Sequence, residues 1–328
     1  RGEARLESTE VDGLTRAWLR IPEHGHHVGF SGDVLPDYIT QLPELLGPAQ
    51  GERVVWIYTP LALDAALALD PTVLVYDVMD DLAAFKGAAP ELVVRRRHAL
   101  RRADVVFAGG RSLHRSVVRQ GRKDAHLIPS GVSNAHYATA GRLRKDDGRR
   151  VAGYVGVLDE RLDLDLVAGL ADRLPEWTIR MIGPVAKIDP ASLPQAPNIE
   201  YLGQQEYQDL PRLMAGLDVA IMPFAINEAT QSISPTKTLE YLAAGLPVVS
   251  TRVPDVVADY SSVVDLRDHA DGFADSCQTL AAGMPPATRA DVRRLLAEQD
   301  WDRIAERMEA AVWNRDERPE TPLHQATA

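Results

Sequence analysis

Ser234-Pro235-Thr236-Lys237-Thr238-Leu239-Glu240-Tyr241-Leu242-Ala243-Ala244-Gly245-Leu246-Pro247-Val248-Val249-Ser250-Thr251 reads as a short helix followed at once by a buried strand. Ser234 is a favourable N-cap, and Pro235 suits the first helical position, where its missing N–H would be unpaired anyway. Gly245 and Pro247 close the helix near Ala244. A helix start presents free backbone N–H groups and the positive end of the helix dipole, so this one can seat an anion, and Lys237 adds a full charge. Glu240, three residues on and roughly on the same face, can accept hydrogen bonds from vicinal hydroxyls. A phosphate next to a sugar diol points to a nucleotide.

Outward from this stretch the chain alternates strand and helix. Upstream lie strand Val219–Phe224, helix Leu210–Leu217, strands Ile199–Leu202 and Trp177–Ile182, a helix from about Glu160 to Leu174, and strand Val151–Val157. Downstream come a helix at Pro254–Tyr260, strand Val263–Leu266, and helices at His269–Ala282, Thr288–Gln299 and Trp301–Trp313. The first half repeats the pattern: helix Asp33–Leu46, then strands Val54–Thr59, Val73–Val78, Asp104–Ala108 and Ala125–Pro129, with helices Leu61–Leu69, Glu91–Arg102 and Ser112–Arg119 between them. Apolar strands without period-2 alternation suit sheets covered on both faces, so an α/β fold of two Rossmann-like, doubly wound parallel domains is expected. Ala138–Arg150, charged and aperiodic, reads as the linker. The expected division is 1–145, with a C-terminal helix at 300–315 returning to it, 146–299, and a loose tail at 316–328. Before Arg16–Pro22, the first strand-like segment, the sequence is polar, and the first domain lacks a recognisable first βα unit. Since residue 1 is arginine, native sequence is expected upstream. Ligands of open α/β sheets bind outside the carboxyl ends of the strands, so a cleft between the domains is the expected site.

Composition sets further bounds. No apolar run approaches the roughly 18 residues that span a bilayer, and Cys277, the single cysteine, cannot form an intramolecular disulfide. No secretory signal opens the chain, so a cytoplasmic protein is expected. The net charge of −11 is uneven: residues 1–150 carry 21 Lys and Arg against 19 Asp and Glu, and the remainder 15 against 28. The basic excess gathers in Arg95–Arg102 and around Arg111, Arg115, Arg119, Arg122 and Lys123. A solvated helix face and a dock for an anionic membrane or a phosphorylated acceptor both fit it. Nucleic acid is not expected, because no aromatics interleave and no binding motif is present.

Other residues bear on chemistry. Gly156, in Gly153-Tyr154-Val155-Gly156, lets backbone approach a phosphate, although a packing glycine fits equally. Arg161 is either a bidentate diphosphate donor or an exposed helix arginine. Asp80 and Asp81, just past strand Val73–Val78, are the acid–base candidates, with a capping or turn role as the alternative for one of them. Thr59 is placed to line the acceptor side. His24, His26 and His27 lack metal-ligand context, and Asp163-Leu164-Asp165 falls inside a helical pattern, so no metal site is expected.

Gly153-Tyr154-Val155-Gly156, Ile182-Gly183-Pro184, Asn198 to Gly203, Asp218 to Phe224 and Pro235-x-Lys237-x-x-Glu240 through Val249 occur in an order and spacing that resembles the group-1, family-4-like glycosyltransferases of GT-B fold. Tyr76 to Asp81 and Ile128 to Val132 resemble that family's first domain. The resemblance implies a nucleotide-sugar donor in the second domain, with Gly156, Arg161, Ser234, Thr236 and Lys237 on the diphosphate and Glu240 on the ribose. Gly183, Pro184, Pro223, Phe224, Ser232 and Pro235 would line the donor pocket. It further implies a metal-independent, usually retaining transfer without cofactor to a hydroxyl of a glycan or lipid-linked, cell-envelope acceptor. Ser232 stands where many members have a glutamate, and Val157 where many have an arginine. A nucleotide-sugar epimerase and a non-catalytic nucleotide-sugar-binding subunit are the alternatives.

Overall fold

The computed structural model describes residues 4–21, 30, 32–84, 88–144, 148–228, 230–233 and 236–314. The chain divides into two compact units, one of residues 1–109, 113–127 and 308–328, the other of residues 110–112 and 128–307.

The first unit opens with an antiparallel hairpin, β1 (Arg5–Val11) and β2 (Leu14–Arg20). Its two-residue turn, Asp12-Gly13, has positive φ at both positions (51° and 77°), as the hairpin turn that matches strand twist requires. The expected single strand from Arg16 is thus the second arm of a hairpin. Gln41 on α1 (Leu35–Leu46) anchors it, accepting from Leu6 N (2.7 Å) and donating to Ala4 O (3.0 Å). Four parallel strands follow in sequential order: β3 (Val54–Ile57), β4 (Val73–Val78), β5 (Val105–Ala108) and β6 (His126–Leu127). Right-handed crossovers then carry α2 (Leu63–Leu67), α3 (Glu91–Arg102) and α4 (Arg111–Arg119) to one face, where Leu74, Tyr76 and Val78 pack with Leu63, Ala99, Leu100, Leu113 and Val117. The described strands of this unit follow one another without a reversal of order.

The second unit has that reversal. Its six parallel strands, β7 (Arg150–Val155), β8 (Trp177–Ile182), β9 (Ile199–Gly203), β10 (Val219–Met222), β11 (Val248–Ser250) and β12 (Asp265–Leu266), lie in the order β12-β11-β10-β7-β8-β9. The chain builds outward from β7 to one side, then crosses back to β10 on the other, so the crevice between β7 and β10 is the topological switch point. The helices are α5 (Asn134–Tyr137), α6 (Thr139–Leu143), α7 (Leu164–Arg173), α8 (Leu210–Ala215), α9 (Lys237–Ala243), α10 (Pro254–Tyr260), α11 (Ala270–Leu280), α12 (Pro286–Glu298) and α13 (Trp301–Trp313).

The expected boundary at 145/146 lies inside this unit. Residues 128–144 pack into it: Val132 N donates to Gln299 O (2.8 Å), Asn134 Nδ2 donates to Leu296 O (2.8 Å) and Asp300 Oδ2 (2.9 Å), and Tyr137 joins its core. The stretch read as a linker contains α6, with Ala140 fully buried. Of the helix expected at 300–315, residues 301–307 count with the second unit and the rest with the first. The tail at 316–328 and His24, His26 and His27 lie outside the described residues. Asp163 is not inside a helix; it is the N-cap of α7, its carboxylate accepting from Leu166 N at 2.9 Å.

On the sheet face of the first unit opposite α2–α4, Asp77 is 2% exposed; Trp56 Nε1 donates to its Oδ2 at 3.3 Å, and its Oδ1 has no hydrogen-bond partner among the described residues. Burial pushes this carboxyl from 3.8 up to about 6, against the pull of the indole N–H. Between those values the native chain holds a proton that the unfolded chain releases, so the group's contribution is greatest below pH 4 and is lost as pH rises through 6. Asp77→Asn is expected to be near neutral in urea unfolding at pH 4 and stabilising by about 1–3 kcal/mol at pH 8. An equal effect at both pH values would contradict this.

Candidate functional site

Because all six strands of the second unit are parallel, β7, β8 and β10 end on one edge, at Val155, Ile182 and Met222. There Gly156 N donates to Ile182 O (2.8 Å), Leu158 N to Pro184 O (2.9 Å) and Ala186 N to Leu158 O (3.0 Å). Gly183 has φ of 144°, and a Cβ on it would fall 1.9 Å from Gly156 O. The two glycines are therefore in backbone contact, and Gly183 is required at that position by space and by conformation. A Cβ on Gly156 would meet the Tyr154 hydroxyl at 2.5 Å, so this glycine also has a packing role.

α9 approaches the same edge. Its Tyr241, fully buried, places its hydroxyl between both backbone groups of Val155, accepting from N (2.7 Å) and donating to O (3.2 Å). β10 pairs with β7 only at Ala152 and Gly153, so this phenol completes the hydrogen bonding of β7 at its last residue. On the outer face of α9, Lys237 Nζ lies 2.6 Å from Glu240 Oε2, the side chains being 25% and 13% exposed. The structure thus brings Lys237 and Glu240 together beside the switch point as one ion pair. Tyr137 from α5 lies beside Glu240: burial, then the charge of the Glu240 carboxylate, push its phenol pKa far up, with Tyr207 adding to the effect. Tyr207 stacks in parallel on His136, ring centroids 4.2 Å apart, and meets Tyr137 edge-on at 6.1 Å.

The other expected donor residues are placed as follows. Ser234 and Pro235 lie outside the described residues; Thr236 immediately precedes α9 and makes no side-chain cap bond. Arg161 is not on a helix; it is half-buried in the turn before α7. Its Nε and Nη2 clamp buried Asp159 at 2.7–3.0 Å in the turn before α7. Phe224 is 4% exposed and packs edge-on against Tyr154, and Pro223 O accepts from Asp163 N (2.9 Å). Ser232 is half-buried in the loop after β10. That loop is built on buried Thr230, whose hydroxyl donates to Ala225 O (2.5 Å) and accepts from Asn227 N (3.0 Å).

In the first unit, Asp81 is paired with buried Arg96 (2.9 Å), which also reaches Ser116 (3.4 Å), while Asp80 is exposed. Of the two, Asp80 is the one facing solvent. Thr59 caps the turn Pro60–Ala62, accepting from Leu61 N (3.4 Å). The basic stretch is smaller than its charge count: Arg95 pairs with Asp64 (2.6 Å), Arg96 is buried, and Arg122 caps α3 on Leu100 O, Ala103 O and Asp104 O. Val93, Val94, Arg97, His98 and Arg101 form its exposed face.

Residues 149–283, which span Gly156, Gly183, Lys237 and Glu240, match the family model described as Glycosyl transferases group 1. Over these residues the chain is similar to the group-1 glycosyltransferases. It is 29% identical over 283 residues, 77% of this chain and 70% of the relative, to a Bacillus subtilis (strain 168) protein whose name assigns it, as glycosyltransferase TuaH, to teichuronic acid biosynthesis. Among solved structures, Anabaena HepE in complex with UDP and glucose superposes with a TM-score of 0.65 at 16% identity, covering 86% of this chain and 83% of that one. The trehalose-phosphate synthase of Burkholderia xenovorans gives 0.69 at 14% identity, covering 95% and 90%. These likenesses establish the GT-B glycosyltransferase fold.

Tyr241→Phe in this domain leaves the buried N–H and C=O of Val155 unpaired. It is expected to cost about 2–4 kcal/mol in denaturant unfolding; a loss below 0.5 kcal/mol would show that the phenol is not the partner they need.

Proposed function

We propose that this glycosyltransferase moves a sugar from a nucleotide-diphosphate donor to a hydroxyl of a cell-envelope polysaccharide acceptor, and that the donor sits over α9 at the β7/β10 switch point. The Lys237–Glu240 pair is the observation that carries this reading. In the free protein the two charges satisfy each other. An arriving diphosphate competes for Lys237, and that frees Glu240 to accept from the two ribose hydroxyls, while Tyr137 keeps the carboxylate in place. As the bond between sugar and diphosphate breaks, charge grows on the leaving group; Lys237 and the backbone N–H groups at the start of α9 would stabilise it without a metal ion. A uridine base and a polymeric acceptor are supported by what HepE binds and by the pathway named for the Bacillus subtilis relative. Retention of configuration belongs to the same proposal.

Arg161 would have to leave Asp159 to reach the diphosphate, so Lys237 is the principal cation of the site. Among the described residues no helix is long and apolar enough to cross a membrane. The exposed Val93, Val94, Arg97 and Arg101 face of α3 supports a peripheral dock on an anionic membrane, where lipid-linked acceptors would be found.

Lys237→Ala, shown folded by circular dichroism, is expected to lower kcat/KM for the donor by an amount equivalent to about 2–4 kcal/mol. Glu240→Gln is expected to act chiefly by raising the donor KM. Near-normal turnover in Lys237→Ala would refute the assignment. Release of free nucleotide and glycosylated acceptor, rather than an isomerised donor sugar, separates a transferase from an epimerase.

A further inference from the structure

A second site lies at the other end of the same sheet. The first residues of β7 and β10 and the last turns of α8 and α11 enclose a cavity of about 270 Å³ lined by Arg144, Arg149, Arg150, Arg180 and Asp218. Four of its side chains are guanidinium groups and one is a carboxylate. Among the described residues, the acidic groups at the cavity are already committed. Asp218 accepts from Arg150 Nη1 (3.2 Å) and from Val151 N (2.8 Å), and Glu200 pairs with Arg180 (2.9 Å), which also donates to Gly216 O at the end of α8 (3.4 Å). Arg144 is left over. Its Nε and Nη2 are shut off from solvent and have no hydrogen-bond partner among the described residues, and burial pulls its pKa below the usual arginine range.

A guanidinium presents several N–H donors in a rigid fork, and burying them without acceptors is costly. The backbone carbonyls at the end of α8 are close enough for Arg180, yet Arg144 uses none of them. Asp218 attracts Arg144 without accepting from its Nε or Nη2. The donor set therefore fits an acceptor from outside the chain that is compact, multiply charged and able to take a fork of N–H groups, which describes a tetrahedral oxyanion. We propose that this pocket is a phosphate-binding site, with Arg144 as its principal ligand and Arg149 and Arg180 at its wall. It is separate from the donor site. β7 runs from Arg150 at this cavity to Val155 beside Tyr241, about 16 Å for five residue steps.

The test is calorimetric titration of the full chain with inorganic phosphate at constant ionic strength. Wild-type protein and Lys237→Ala are expected to bind phosphate alike at this site. Arg144→Gln should weaken binding at least tenfold, and Arg144→Lys by less, since it keeps the charge and loses the fork. An unchanged or raised Tm of Arg144→Gln in phosphate-free buffer shows that it is folded. A hexose phosphate titrated in the same way separates the two sources of the group: tighter binding than inorganic phosphate assigns the site to a phosphorylated sugar, and equal or weaker binding to the free ion. The proposal is overturned if wild type takes up no phosphate at millimolar concentration, if Arg144→Gln binds like wild type, or if Lys237→Ala abolishes the binding. It is also overturned if only an Asp146→Asn/Asp147→Asn protein binds, since the chain's own carboxylates would then be the acceptors.

Discussion

The hydroxyl of Tyr241, held between the N–H and C=O of Val155, is the interaction on which the arrangement of the second unit depends. At the carboxyl end of β7 the ladder to β8 continues through Val155, but β10 pairs with β7 only at Ala152 and Gly153 and leaves a gap on that side. Here β7 reaches that gap at Val155, and a side chain from α9 supplies the missing donor and acceptor. The bond fixes the depth and rotation of α9 against the sheet. It also fixes where Lys237, one turn earlier, and Glu240, the preceding residue, face.

From that anchor the electrostatics follow. Lys237 and Glu240 are half sheltered and 2.6 Å apart, too close to be independent, so each sets the other's availability. Tyr137 holds the carboxylate from behind, and its own place depends on Val132 and Asn134 tying residues 128–144 to the start of α13. A ligand that brings both a dianion and a diol can replace the internal pair on both sides at once. A ligand with only one of these leaves a charge unsatisfied, which favours a nucleotide diphosphate over free phosphate or free sugar at this position.

Much of this was legible in the residues themselves. Alternating apolar runs located nearly every strand of both sheets, and Pro247 after Gly245 marked the end of α9 and the start of β11. What escaped had physical reasons. The Asp12-Gly13 turn signals a hairpin, but its flanking strands are polar because both faces of the hairpin are largely exposed. Residues 138–150 look like a linker from charge alone, while one apolar side chain among them, Ala140, is fully buried in the second unit. That boundary placed Tyr137 in the wrong domain and hid its contact with Glu240. Arg161 has an internal partner two residues away in Asp159, a pairing visible only once the turn between β7 and α7 is folded. In the first unit Asp81 is consumed in the same way by Arg96.

The structure of the protein with UDP bound tests the central claim most directly. The account predicts the diphosphate against Lys237 Nζ and the start of α9, the ribose hydroxyls on Glu240, and the 2.6 Å pair opened. UDP bound at the β7/β10 edge with that pair intact, or bound elsewhere on the chain, would contradict it.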